Sequence, residues 1–403
     1  MTDLDSATIG IFAPMNLNRF AGDTARIVEI VHGLRFHGLD VTPIIPTSRG
    51  SSDIPSLLAP YESFKVPLLN NTSFNFALLT IFAQYLTSPW VSPERFDIFQ
   101  IEWPFALPRS KLRRVASKNN VVFDMHSIAA FDLAPFIPFP FKTAMTNALL
   151  SSQDYLCRRS ECLVVSHRMK QIMIGRLGLD SKRIHVITNG VNVKAACTAI
   201  SNLKHRYDHL REGFEPLLVY VGGLEWYEGV DLIIHATAQI REQIQCVRLV
   251  IAGRGSEERR LMKLVSDLNL KNHVKFLGWI PYDDAFALQS VADILVAPRK
   301  PLGTRNFDIS CPLKIPAYLT AGKPILTTAI GEIPFLVRDE QEALLVKTPT
   351  IREITNGILR LWNDSTLMKH LSNNSIKRAS ELDWNVITEK LVEVYRSILN
   401  QIE

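Results

Sequence analysis

At 403 residues, with 47% apolar and 21% charged side chains, the chain is long enough for two globular domains and too apolar to stay disordered. A net charge of +5 without a zinc finger, an RNP-like motif or a long basic run argues against a nucleic-acid binder. The positive excess lies in residues 1–200, where it fits an anionic membrane surface, a phosphorylated acceptor or simply a solvated face.

Before the first apolar run, Met1-Thr2-Asp3-Leu4-Asp5 is acidic, and no charged-then-apolar leader pattern follows. Ala7 to Pro14 then reads as a buried parallel strand. Gly22-Asp23-Thr24 opens a segment with Ile27, Ile30, Val31 and Leu34 at helical spacing, which Gly38 ends before a strand at Asp40–Ile45. Phe74 to Leu86 is the most apolar run and falls short of the roughly 20 residues a membrane span needs. Strands are expected at Asp97–Ile101, Val121–Met125, Cys162–Val165 and Ile184–Ile187, with helices near Leu107–Ser117, Thr143–Cys157 and His167–Leu177. Asn189-Gly190-Val191-Asn192 and the polar stretch Lys204–Glu215 break this alternation. It resumes with strands at Leu217–Val221, Val247–Ile251, Val274–Leu277, Ile294–Ala297 and Ile325–Thr327. Helices at Gly229–Glu242, Glu257–Leu268, Ala285–Val291 and Pro312–Ala321 lie between them, and a last helix runs from Leu382 to Leu399. Alternation of this kind means an α/β protein with two doubly wound, Rossmann-like sheets joined near residues 190–215. Ligands are then expected at the carboxyl ends of the strands, in the cleft between the halves.

Five cysteines, at positions 157, 162, 197, 246 and 311, lack CxxC spacing, and an odd number makes a poor disulfide framework. Reduced thiols in a cytoplasmic protein are expected, with no zinc site. Asp3-Leu4-Asp5 is the one DxD and precedes the first strand, so no metal is called for. No serine or cysteine has the context of a covalent nucleophile.

The stretch Pro312-Leu313-Lys314-Ile315-Pro316-Ala317-Tyr318-Leu319-Thr320-Ala321-Gly322-Lys323-Pro324-Ile325 is the most informative. Pro312 suits the first turn of a helix, Gly322 its end, and Pro324 forbids its continuation. Free amides at such a helix start can hold a diphosphate. The stretch resembles the donor-site helix of glycosyltransferase family 4, often written P-x-K-x-x-E-Y-x-x-x-G-x-P, and the likeness extends over nearly the whole chain, strongest over residues 160–350. Val164-Val165-Ser166-His167-Arg168-Met169-Lys170 and Ile187-Thr188-Asn189-Gly190-Val191 are similar to the family's pattern at the end of its first domain.

The resemblance implies a GT-B fold, two Rossmann-like domains facing across a cleft. Residues 1–190 would form an acceptor domain, on which helix 384–403 packs back, and residues 191–383 a nucleotide-sugar donor domain. It implies a hexosyltransferase-like enzyme that moves a sugar from a nucleotide-sugar donor to a glycan or lipid-linked acceptor with retained configuration. The nucleotide sugar is a substrate, and no cofactor is implied. Val219-Tyr220-Val221-Gly222-Gly223-Leu224, with Gly229-Val230-Asp231, resembles the family's diphosphate-binding strand, loop and helix. Gly223 stands where the family usually has Arg, Glu228 where it has Lys, and Ala317 where a Glu binds the ribose. Lys314, Arg254, Arg299, Lys300 and Arg305 are the cations available to replace the missing pair; the loop members are otherwise solvated charges. Gly22, at a helix start, either approaches an anion closely or makes a plain tight turn. With Pro312 and Leu313 at the donor helix, the base would meet Gly278-Trp279-Ile280, unless Trp279 caps the core.

On the acceptor side, His126 follows Phe123-Asp124-Met125 and resembles the family's active-centre histidine beside the transferred sugar, with Asp124 and Glu102 as carboxylate partners. The Pro/Phe stretch Leu133–Phe141 and the basic Pro108–Arg114 together fit contact with a lipid surface, at the inner face of the membrane, or a loop packed on its own domain. Gly223, Glu228 and Ala317 also motivate a rival reading, a non-catalytic glycosyltransferase-shaped subunit that binds acceptor, membrane or partner enzyme. An active enzyme with an unusual donor is the third.

Overall fold

Short, mostly apolar runs such as Ile98–Glu102 and Val121–Met125 are stable as strands when covered on both faces, and every residue of these two is buried. The computed structural model describes residues 4–13, 22–47, 58–65, 92–102, 109–126, 128, 142–301 and 309–402. It divides the chain into two units, Met1–Asn189 with Trp384–Glu403, and Gly190–Asp383.

The first unit carries strands β1 (Thr8–Phe12), β2 (Asp40–Thr47), β3 (Glu62–Lys65), β4 (Ile98–Glu102), β5 (Val121–Met125), β6 (Glu161–Val164) and β7 (Ile184–Val186). They form one sheet in the order β3-β2-β1-β4-β5-β6-β7, and every pair is parallel. Helices α1 (Gly22–Phe36), α2 (Arg109–Ala116), α3 (Lys142–Cys157) and α4 (His167–Leu177) connect them. Ser166 caps α4 by accepting the Met169 amide at 3.0 Å, and Gly178, at φ +61°, ends it. A strand order that reverses direction between β1 and β4 leaves a crevice at their carboxyl ends.

The second unit repeats the plan with β8 (Leu217–Val221), β9 (Arg248–Ala252), β10 (Val274–Gly278), β11 (Ile294–Ala297), β12 (Ile325–Thr328) and β13 (Leu344–Val346), ordered β10-β9-β8-β11-β12-β13 and all parallel. Its helices are α5 (Val193–Leu203), α6 (Val230–Arg241), α7 (Glu258–Asp267), α8 (Tyr282–Ser290), α9 (Lys314–Thr320), α10 (Ile333–Leu336), α11 (Ile351–Asn363) and α12 (Ser365–Glu381). Here the order reverses between β8 and β11. The first residues of this unit meet its last: the Val191 amide donates to Leu382 O at 3.0 Å, and the Val193 amide to Asp383 Oδ2 at 3.0 Å.

Helix α13 (Trp384–Ile402) then rejoins the first unit along α1. Gly33 makes that approach feasible, since a methyl there would sit 2.8 Å from Thr388 Cβ. His37 Nε2 bonds to Asn385 O at 3.0 Å.

Two expectations about elements are corrected. The helix expected over Pro312–Ala321 starts at Lys314, and the proline in its first turn is Pro316, where no amide hydrogen is needed. The break after residue 189 is not structureless, because Asn192 caps α5 by accepting the Ala195 amide at 2.9 Å.

Candidate functional site

In the second unit, glycines let three loops at the strand carboxyl ends lie backbone against backbone. The Gly222 amide donates to Ala252 O at 3.0 Å, Leu224 to Arg254 O at 2.9 Å, and Gly253 to Gly278 O at 2.7 Å. Gly253 has φ +143°, and a side chain there would put Cβ 1.8 Å from Gly222 O. Gly229, at φ +70°, enters α6 with the same clearance from Pro298 O. Gly223 is different, for nothing lies within 4 Å of where its Cβ would be.

Lys314 reaches into this ring of loops from the first residue of α9. Its ammonium donates to Glu228 Oε2 at 2.5 Å and to the Tyr220 hydroxyl at 2.9 Å, and lies 4.7 Å from the centre of the Tyr220 ring. Tyr220 in turn donates to Gly223 O at 2.6 Å. Only 13% of the Lys314 side chain and 12% of Glu228 are exposed. Burial pushes the Glu228 carboxyl up, but Lys314 and then Arg299 outweigh it and hold it below the usual range. Burial also lowers the Lys314 ammonium, with Glu228 opposing. Lys314, expected to meet the phosphates as a point charge, is thus already half of an ion pair, and the acid that departs from the family pattern is its partner.

The other expected cations separate. Arg299 is buried, its amide donating to Thr328 Oγ1 at 3.0 Å, one guanidinium nitrogen to Ser310 Oγ at 3.2 Å, and its guanidinium carbon 5.7 Å from the Tyr227 ring centre. Lys300 pairs with Asp231 at 2.6 Å. Neither is a solvated loop charge. Arg254 is exposed, and Arg305 lies outside the described residues. Pro312 is buried and Leu313 half-buried, both just ahead of α9. Ala317 packs against an apolar cluster that includes Val191, Ala196 and Phe286. After β10, Gly278 takes φ +68°, Trp279 is 64% exposed and Ile280 half-buried, so the indole does not cap the core.

In the first unit, the ends of β4 and β5 hold polar side chains inside strands that are otherwise apolar. His126 Nε2 lies 2.7 Å from Glu102 Oε2 and 3.6 Å from Asp124 Oδ2. Arg26, 1% exposed on α1, donates to Asp124 at 3.1 Å, to Asn189 Oδ1 at 3.1 Å and to Thr188 O at 3.3 Å. Gln100 donates its amide to Glu102, and Tyr395 of α13 donates its hydroxyl to the Gln100 carbonyl. Burial works against both charges of the central pair, yet Arg26 and then His126 bring Asp124 down to about 2, and Asp124 and then Glu102 lift His126 to about 10. Burial, then the charge of Asp124, pushes the Glu102 carboxyl up. Two cations facing two acids give a cluster close to neutral. Glu102, Asp124 and His126 are also placed to surround a metal ion. Arg26 already brings a cation to that set, 3.1 Å from Asp124.

Glu102, Asp124 and His126 were legible as strand-end residues; Arg26, Gln100, Asn189 and Tyr395 were missed. Their signal is a polar residue set in an apolar run, as in Ile98-Phe99-Gln100-Ile101. Gly22 begins α1. The Leu133–Phe141 stretch and Pro108 lie outside the described residues; Arg109–Arg114 belong to α2, where Arg113 and Arg114 are exposed and Arg114 pairs with Glu94. Among the described residues no helix is long and apolar enough to cross a membrane.

Two family models match the chain, Glycosyltransferase Family 4 over residues 22–195 and Glycosyl transferases group 1 over residues 202–378. An uncharacterised glycosyltransferase of Methanocaldococcus jannaschii is 25% identical over 255 residues, which is 61% of this chain and 63% of that protein, so the match spans less than two thirds of the relative. The phosphatidyl-myo-inositol mannosyltransferase of Mycobacterium leprae is 20% identical over 391 residues, covering 97% of this chain and 96% of that one. Among solved structures, Anabaena HepE, in complex with UDP and glucose, shares the fold with a TM-score of 0.68 at 17% identity, covering 97% of this chain and 100% of the other.

Proposed function

The chain belongs to glycosyltransferase family 4, and from that premise we propose that it moves a sugar from a nucleotide-sugar donor to an acceptor hydroxyl with retained configuration. The second unit serves as donor domain and the first as acceptor domain, the acceptor being a glycan or a lipid-linked sugar. The observation that carries the reading is the position of Lys314. It stands at the reversal of strand order between β8 and β11, ringed by loops whose glycines keep side chains away. Negative charge develops on the departing diphosphate, and fixed cations there stabilise the transition state more than the ground state. Lys314 takes that role, with exposed Arg254 in the loop after β9 as a second cation of the same unit. Trp279 and its neighbours meet the base, and His126 lies beside the sugar. Uridine diphosphate is the first nucleotide to try, because a solved relative holds it.

One observation favours the rival reading. Glu228 neutralises Lys314 at 2.5 Å, and a site so balanced attracts a diphosphate less. On that reading the protein is a binding subunit without turnover. Thermal unfolding with a panel of nucleotides and nucleotide sugars separates the two: a ligand at 100 times its Kd adds about 2.7 kcal/mol. A shift confined to one nucleotide class, lost in Lys314→Ala, supports transfer chemistry. No shift with any of them refutes the donor site and leaves the binding subunit.

A further inference from the structure

We propose that Tyr395, on the returning helix α13, is a positioning residue for the acceptor-side site: its hydroxyl orients the Gln100 amide, the amide orients Glu102, and Glu102 holds the His126 ring. The proposal rests on the reading of His126 as the group beside the sugar, and names a residue some 270 positions away in sequence that governs it.

Each link has one chemically sensible direction. Tyr395 is fully buried, and burial, then the charges of Glu102 and Asp124, push its hydroxyl well above the usual phenol range. It therefore keeps its proton and donates it to the Gln100 carbonyl. That fixes the other half of the amide, because the NH2 must then face Glu102, with Asp124 Oδ2 a further 3.4 Å contact. A flipped amide would turn its oxygen toward two carboxylates and away from a donor. With Glu102 Oε1 held by Gln100, Oε2 is the oxygen left to His126, at 2.7 Å. Glu102 on β4 and Asp124 on β5 then both face the same ring nitrogen, Nε2, and Asp124 is itself fixed by Arg26 on α1. All of these side chains except His126 are 0–1% exposed, so water cannot replace a lost link.

The test removes one oxygen atom. In Tyr395→Phe, kcat should fall about tenfold while KM for donor and acceptor stays within about twofold, as expected when a reacting group is held loosely. The double variant Tyr395→Phe with Gln100→Leu should be no slower than Gln100→Leu alone, because both break the same chain. A second measurement needs no activity at all. Nitrogen-15 NMR of the labelled histidine rings reports His126 directly, and its protonation midpoint should fall by about half a unit or more in Tyr395→Phe, and equally in Gln100→Leu, as Glu102 loses its hold. Unchanged ring signals in whichever of the two variants folds overturn the proposal, as do losses of kcat that add in the double variant. If the ring signals move but the parent transfers no sugar, the relay stands and the assignment of transfer chemistry falls.

Discussion

Lys314→Met tests the electrostatics of the Lys314–Glu228 site most directly. The change keeps the length of the side chain but deletes the ammonium that lies 2.5 Å from Glu228, both groups being about seven-eighths buried. Removing one partner of a buried pair costs about 3–5 kcal/mol, mostly because the survivor is left charged in a poor solvent. Arg299 also acts on Glu228, so the lower end, about 3 kcal/mol, is expected. For a unit of this size each kcal/mol lowers Tm by about 2–4 °C, giving a drop of roughly 6–12 °C for the transition of residues 190–383. The dependence on pH fixes the cause. In the parent, Glu228 is held below its ordinary value of 4.5, so its stabilisation is present above that value and lost as pH falls through the lower one. Without Lys314, burial dominates and the carboxyl rises above its unfolded value. The penalty is then full at neutral pH and disappears as acid protonates the group. Calorimetry should show the gap between parent and variant widest near pH 7.5 and much smaller near pH 5. Adding Glu228→Gln should return most of the loss at pH 7.5. A gap of equal size at both pH values, or a double variant no more stable than Lys314→Met, would refute this account of the pair.

Further outcomes follow from other features. His126 is lifted from 6.5 to about 10, so its contribution is complete below about pH 6.5 and lost as pH rises through 10; the first unit should unfold at lower denaturant as pH goes from 7 to 10, and His126→Phe should flatten that limb. Gly229→Ala should cost more than about 3 kcal/mol, because Cβ would stand 1.8 Å from Pro298 O at φ +70°. Gly223→Arg, with open space around it, should leave stability within about 0.5 kcal/mol, and it should tighten uridine diphosphate about tenfold in a calorimetric titration. Trp279→Ala should leave Tm alone, since the ring is 64% exposed, and should weaken nucleotide binding by about 1–3 kcal/mol; an unchanged Kd would place the base elsewhere.

Most of the sheet frame could be read from the chain because parallel strands are continuous apolar runs. Leu217–Val221, Ile294–Ala297 and Val121–Met125 stand in the structure with the bounds their residues imply. Helix α5 was hidden, since its buried positions Ala196 and Ala199 give almost no hydrophobic signal. Strand β3, strand β13 and helices α11 and α12 also went unread; β13 is three residues long, too short to carry a period. At the sites, position was legible and partnership was not. Strand ends pointed to His126, Glu102, Asp124 and Lys314, but an ion pair such as Lys314–Glu228 joins residues 86 apart in the chain. Tyr395 met Gln100 across 295 positions, a distance that no local pattern spans.

The return of α13 to the first unit also sets a schedule. A ribosome completes residues 190–383 before it has made residues 384–402, although the latter belong with a sheet translated far earlier. The second unit can close as soon as Leu382 and Asp383 emerge, by pairing with Val191 and Val193. The first must wait, with α1 lacking its cover and the Gln100 carbonyl lacking its donor. During that interval the carboxylates Glu102 and Asp124 lie beside an unfinished wall. The polar cluster of the first unit is complete only once α13 has been made.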